Sequence, residues 1–206
     1  MKRSGSDLDN PDSKKTILSA DGADLWASSD VPVDLVQSAA LAVEKQLRVY
    51  TIKMFGKKVD QPRRVGFYGP AVGYRYSGTT IFPPTNVPEE MVAFLAWATE
   101  RFPPPDGYEV GVLVNRYASG KDYISFHSDD EKGLHGNFVA TVSTGADRFF
   151  VVKKKETKET VAKLSTEAHP MIVMEGAQFQ KEYIHGIPKK KTEEPRTSFS
   201  IRWHKV

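Results

Sequence analysis

The second half of the chain is a succession of short period-two runs, and that pattern constrains the fold more than any other feature. Val110, Val112 and Val114 point to one side while Leu113, Asn115 and Tyr117 point to the other, the alternation of a half-buried β-strand. Further runs cover Phe138 to Ser143, Phe149 to Lys153, Met171 to Met174, Phe179 to His185 and Thr197 to Trp203, separated by Gly, Pro or charged turns. Many short strands punctuated this way are the pattern of a sandwich or jelly roll. Two helices are expected before them. Between Pro32 and Val49, apolar residues recur at Leu35, Val36, Ala39, Ala40, Val43 and Leu47; from Pro88 to Phe102, Met91, Phe94, Leu95 and Ala98 share one face before Pro103-Pro104-Pro105 stops the helix. The fold class is therefore α+β, with helices leading into a jelly-roll core.

The 206 residues, 39% hydrophobic and 11% aromatic, are enough for one sizeable core and exclude a disordered chain. Residues 1–20 are rich in Ser, Asp, Lys and Gly and are expected to be a disordered basic and polar tail, leaving 21–206 as a single domain. No stretch approaches the roughly 18 apolar residues of a membrane span, and no apolar signal-peptide run opens the chain. The expectation is a soluble intracellular monomer that contacts no membrane, nuclear if the cell is eukaryotic. The absence of cysteine removes disulfides, thiolate nucleophiles and iron–sulfur clusters, so any metal falls to His, Asp or Glu. A net charge of +3 permits a polyanionic partner without demanding one. The lysines between Lys153 and Lys163 read most simply as a solvated hairpin loop.

His127 and Asp129 are two apart in an alternating run, so on a strand both side chains leave the same face. His185, far along the chain before a Gly186-Ile187-Pro188 turn, is available as a third ligand. Two imidazoles and one carboxylate leave positions open around a non-haem Fe(II). Taken alone, His-x-Asp is more often a surface feature. In the last run Arg196, Ser198, Ser200 and Arg202 share one face, and Thr197, Phe199, Ile201 and Trp203 share the other. Two arginines inside a barrel would need an anion, and a dicarboxylate could satisfy both; on an exposed edge strand they would sit in water.

Together these pieces resemble the AlkB family of Fe(II)/2-oxoglutarate dioxygenases. The resemblance runs through Asn115-Arg116-Tyr117, Asp122, His127-Ser128-Asp129-Asp130-Glu131, His185-Gly186-Ile187-Pro188 and Arg196 to Arg202. Met54-Phe55-Gly56-Lys57, Pro62-Arg63, Tyr68-Gly69 and Tyr74-Arg75-Tyr76-Ser77-Gly78 are similar to the substrate-side lid of the branch that repairs double-stranded DNA. It covers about Ile52 to Trp203 in unbroken order. Ser198 stands where the family usually has Asn, and Ile201 where it usually has Phe.

The resemblance implies a double-stranded β-helix core at 108–206 and a nucleotide-recognition lid at about 52–80. It implies Fe(II) held by His127, Asp129 and His185, with 2-oxoglutarate and O2 as co-substrates. Arg196 and Tyr117 would hold the distal carboxylate, with Arg202 and Asn115 at the end near the metal and Ser198 beside them. The implied activity is oxidative demethylation of 1-methyladenine and 3-methylcytosine in DNA, releasing formaldehyde, succinate and CO2. The target base must be flipped out to reach the iron. Tyr74 and Tyr76 would then stack on it, Ser77 would line its edge, and Asp130 and Glu131 would lie near its exocyclic amine. Phe55 would wedge into the stack, and Arg63 with the lysines would meet phosphates. Asp130 and Glu131 could instead support the metal strand, and Phe55 could be core. Methylated RNA or single strands remain an alternative substrate, and a nucleic-acid-binding module without turnover an alternative class.

Overall fold

The computed structural model describes residues 14–54, 56–76 and 78–206. In chain order the elements are β1 (Lys14–Ala20), β2 (Ala23–Ser28), α1 (Val33–Val43), β3 (Thr51–Met54), β4 (Lys57–Asp60), β5 (Arg64–Tyr68), β6 (Tyr74–Tyr76) and β7 (Thr79–Ile81). They continue with α2 (Glu89–Arg101), β8 (Tyr108–Tyr117), β9 (Ile124–His127), β10 (Leu134–Gly145), β11 (Phe149–Lys154), β12 (Thr160–Ser165), β13 (Met171–Glu175), α3 (Phe179–Glu182), β14 (Tyr183–Ile187) and β15 (Arg196–Lys205).

The long strands form a seven-stranded sheet in the order β1-β2-β13-β10-β15-β8-β5, and the others a four-stranded sheet, β12-β11-β14-β9. The two sheets face each other as a jelly roll. The alternation read from the sequence decides which side each residue serves. Val110, Val112, Val114, Phe199 and Ile201 point outward and pack under α1 and α2, whose Val36, Ala39, Val43, Met91, Phe94 and Ala98 fall at three-to-four spacing. Phe94 and Phe199 meet with ring centroids 4.4 Å apart. Between the sheets, Val139, Ile172 and Met174 meet Phe150, Val152 and Ile187. A third cluster of Val65, Phe67, Leu113, Tyr74 and Ile81 fastens the β6–β7 ribbon to the larger sheet. Among the described residues no helix is long and apolar enough to cross a membrane.

Three expectations need correction. The tail does not run to residue 20: Lys14–Ala20 is β1, paired along its length with β2. Most of β1 is exposed, so it is ordered by a backbone ladder, which composition does not register. The run from Phe179 to His185 is not one strand, because a helical turn, α3, precedes β14. Gly186 and Ile187 belong to β14 rather than to a turn. A Cβ on Gly186 would stand 2.9 Å from the Ile124 carbonyl oxygen, so glycine lets β9 and β14 close up.

Candidate metal centre and its cavity

Strand pairing assembles the metal-ligating group. His127 ends β9 and His185 lies in β14, and the two are direct cross-strand partners. Asp129 sits just beyond β9, so only His127 of the pair is on the strand itself. One ligand atom from each of the three lies within 4.8 Å of the others. His127 Nε2 is 3.5 Å from Asp129 Oδ1, and His185 Nε2 is 3.7 Å from Oδ2. The other nitrogen of His127, Nδ1, is 2.8 Å from the Ser125 carbonyl oxygen, which accepts the Nδ1 proton and leaves Nε2 with a free lone pair. Burial, with His127 nearby, pushes the His185 imidazole down to about 3. It is neutral, as a ligand must be. Burial of Asp129 works to raise its pKa, but Arg202 and the two imidazoles outweigh it and hold the carboxyl well below its ordinary range. The donor set is therefore ready for a divalent metal, and two imidazoles with one carboxylate suit Fe(II).

β15 supplies the anion-seeking wall. Register places Arg196 opposite Tyr117 and Ser198 opposite Asn115 on β8, while Ser143 on β10 is opposite Ser198. Arg196 is 1% exposed. It donates from Nη2 to Ser143 Oγ at 2.7 Å, and its guanidinium lies 5.1 Å from the Tyr117 ring centre. Its Nε and Nη1 have no partner among the described residues. A buried guanidinium with idle donors is matched by an anion such as a carboxylate. Arg202 donates to Asp129, and its Nη1 has no partner among the described residues. The residue pattern on β15 thus turns inward as its alternation predicts.

Residues of β4, the β4–β5 link and β6 form the opposite wall of one cavity of about 430 Å³ shared with the metal ligands and the arginines. Tyr74 is only 3% exposed. Its hydroxyl donates to Glu131 Oε1 at 2.9 Å, and its ring packs on Phe67, His204 and the Arg202 guanidinium. Gly111 makes room for this cluster, because a Cβ there would collide with the His204 ring. Tyr76, half-buried, stacks on Tyr74 with centroids 5.2 Å apart and planes 14° from parallel. Glu131 Oε2 is without a partner among the described residues, and burial, then the Asp129 charge, push the Glu131 carboxyl above its ordinary value. Asp130 is exposed, 3.7 Å from Lys155 Nζ.

Arg63 is not at the surface. It is 7% exposed and donates from Nε to Asn115 Oδ1 at 2.7 Å, which ties the link between β4 and β5 to β8. Lys190 is held by Asp147 at 2.7 Å. Phe55 and Ser77 lie outside the described residues. Sequence reasoning missed Gln180, whose Oε1 accepts the Asp129 backbone N–H at 2.9 Å. It also missed Arg148 and Ser143. Their signal is a buried polar residue meeting a partner far away in sequence, and periodicity does not carry it.

Comparison with known proteins bears on this geometry. Residues 33–202 match the 2OG-Fe(II) oxygenase superfamily. The chain is 30% identical over 179 residues to the DNA oxidative demethylase ALKBH2 of Mus musculus, covering 78% of this chain and 71% of that protein. Its Bos taurus counterpart is 30% identical over 179 residues, covering 78% of this chain, which spans 61% of that relative's length. The structure of OsALKBH1 matches with a TM-score of 0.56 at 14% identity, covering 92% of this chain and 100% of that one. This last is a likeness of fold.

Proposed function

Because the chain belongs to the AlkB family of 2OG-Fe(II) oxygenases, in its ALKBH2 branch, we propose that it is a DNA oxidative demethylase acting on N-alkylated bases, 1-methyladenine and 3-methylcytosine foremost. The observation that carries this reading is the shared cavity: the metal ligands, the arginines with idle donors and the tyrosine–carboxylate lid all face one space. His127, Asp129 and His185 would hold the iron. Iron, 2-oxoglutarate and O2 supply the oxidising power to hydroxylate the methyl carbon, and the methyl then leaves as formaldehyde with succinate and CO2 as co-products.

The chain's own residues do the rest. Arg196 and Tyr117 take the distal carboxylate of the co-substrate, and Arg202 and Asn115 border its inner end, with Ser198 between them. Arg202 also fixes Asp129, so co-substrate and metal share one brace. Tyr76 offers a ring to the flipped base, backed by Tyr74. Glu131 presents an oxygen with no partner among the described residues. Alkylation at adenine N1 or cytosine N3 makes the base cationic, so a carboxylate favours the damaged base over the normal one. The complete donor set argues against a binding module without turnover.

The substrate form we propose is duplex DNA, with Phe55 filling the gap left by the flipped base. Phe55→Ala should lower demethylation in duplex DNA much more than in a matched single strand, at one fixed salt concentration. Equal losses on both, with a large fall in melting temperature, would assign Phe55 to packing and move the substrate to single strands or RNA.

A further inference from the structure

Arg148 is fully buried, at 0% exposure, and stands immediately before β11. Among the described residues its guanidinium meets no carboxylate; it donates to three backbone carbonyls. Nη2 reaches Asp122 O at 2.8 Å and Pro188 O at 2.7 Å, and Nη1 reaches Ser119 O at 3.3 Å. Its own backbone N–H donates to Thr166 Oγ1 at 2.9 Å. Ser119 and Asp122 lie in the connection that leaves Tyr117 at the end of β8 and enters β9, which carries His127. Pro188 directly follows β14, which carries His185. One side chain therefore fastens the exits of two strands and the entry of a third, each bearing a residue of the site.

The same guanidinium lies 5.5 Å from the Tyr117 ring centre, a ring that Arg196 also approaches, at 5.1 Å. Two buried cations thus converge on Tyr117, and Arg148 Nε has no partner among the described residues. Uncompensated charge in a protein interior is costly. A planar fork of donors can span three carbonyls in a way that a lysine ammonium cannot.

We propose that Arg148 is a positioning residue for the co-substrate. It touches neither the metal ligands nor the co-substrate. It sets Tyr117 and Arg196 by clasping the loops around them, and its charge strengthens the pull on the distal carboxylate. This rests on the co-substrate reading of the Arg196 wall, so its test is a binding measurement that needs no DNA and no turnover.

The full chain, loaded with Mn(II) in place of Fe(II), is titrated with 2-oxoglutarate by calorimetry, as wild type, Arg148→Met and Arg148→Lys. Arg148→Met should weaken 2-oxoglutarate binding roughly 10- to 100-fold, as loss of an outer orienting contact does at metal sites, with Arg148→Lys in between. In turnover the same loss should fall on the KM for 2-oxoglutarate, with kcat and Mn(II) affinity within about threefold of wild type. If Arg148→Met does not fold, Arg148→Lys carries the comparison. Variants that melt at lower temperature yet bind 2-oxoglutarate as wild type does would make Arg148 a structural clamp and overturn the proposal. A wild type that binds Mn(II) but not 2-oxoglutarate would remove the co-substrate reading itself, and this role with it.

Discussion

Arg202 donates from Nε at 3.1 Å and from Nη2 at 2.8 Å to a single oxygen, Oδ2, of Asp129. Both residues are almost wholly buried, at 4% and 1% exposure. The pair joins β15, the strand that seeks an anion, to the carboxylate of the metal group, so the two halves of the site cannot shift independently.

This pairing predicts how stability depends on metal. Arg202→Met leaves the Asp129 carboxylate buried without its counter-charge, a loss of roughly 3–5 kcal/mol in the metal-free protein. A divalent ion restores positive charge beside the same carboxylate. Denaturant unfolding with and without Mn(II) should therefore show a much smaller penalty in the metal-loaded protein. An equal penalty in both forms would mean that Arg202 acts by packing rather than charge.

Arg196→Ala should raise the 2-oxoglutarate requirement strongly. Leaving a carboxylate without its charged partner in a buried pocket costs on the order of 2–5 kcal/mol, or roughly 30- to several-thousand-fold in affinity. Ser198→Asn should be mild or beneficial, since it adds an amide among existing donors. An unchanged 2-oxoglutarate saturation curve in Arg196→Ala would detach this wall from the co-substrate.

Two buried imidazoles predict acid lability. Burial holds both His185 and His204 down to about 3 from an ordinary 6.5. As pH falls below 6.5 the unfolded chain takes up protons that the folded chain refuses, so stability is lost between about pH 6.5 and pH 3. For two such groups the slope approaches about 2.7 kcal/mol per pH unit. Denaturant unfolding of the metal-free protein across this range should show it, and His204→Gln should remove about half of the slope. A flat profile would show that these imidazoles are protonated in the fold.

Much of this was legible in the residues. Alternation on β8 and β15 told which side chains turn inward, because a strand's period of two leaves no other choice. The three-to-four spacing found α1 and α2 for the same kind of reason. Other features were not legible. β1 is held by a backbone ladder, a lysine over Trp26 and the partly buried Ile17 and Leu18, with no periodic apolar face to announce it. Arg63 reads as a surface cation in a basic lid, yet it folds inward onto Asn115. Tyr74 reads as a stacking ring, yet Glu131, His204 and Phe67 bury it. In each case a contact between residues distant in sequence decides the outcome, and local pattern says nothing of such contacts.

Product stoichiometry decides whether this chain is an oxidative demethylase. A duplex oligonucleotide carrying one 1-methyladenine is incubated with the protein, Fe(II), 2-oxoglutarate and O2, and formaldehyde, succinate and restored adenine are quantified together. Formaldehyde and restored adenine should rise in equal amounts with succinate. His127→Ala, Asp129→Ala and His185→Ala should each fall to background, because a triad missing one arm holds iron poorly, while His135→Ala and His169→Ala stay active. Succinate formed at the same rate with or without the methylated strand, with the methyl group left in place, would contradict that assignment.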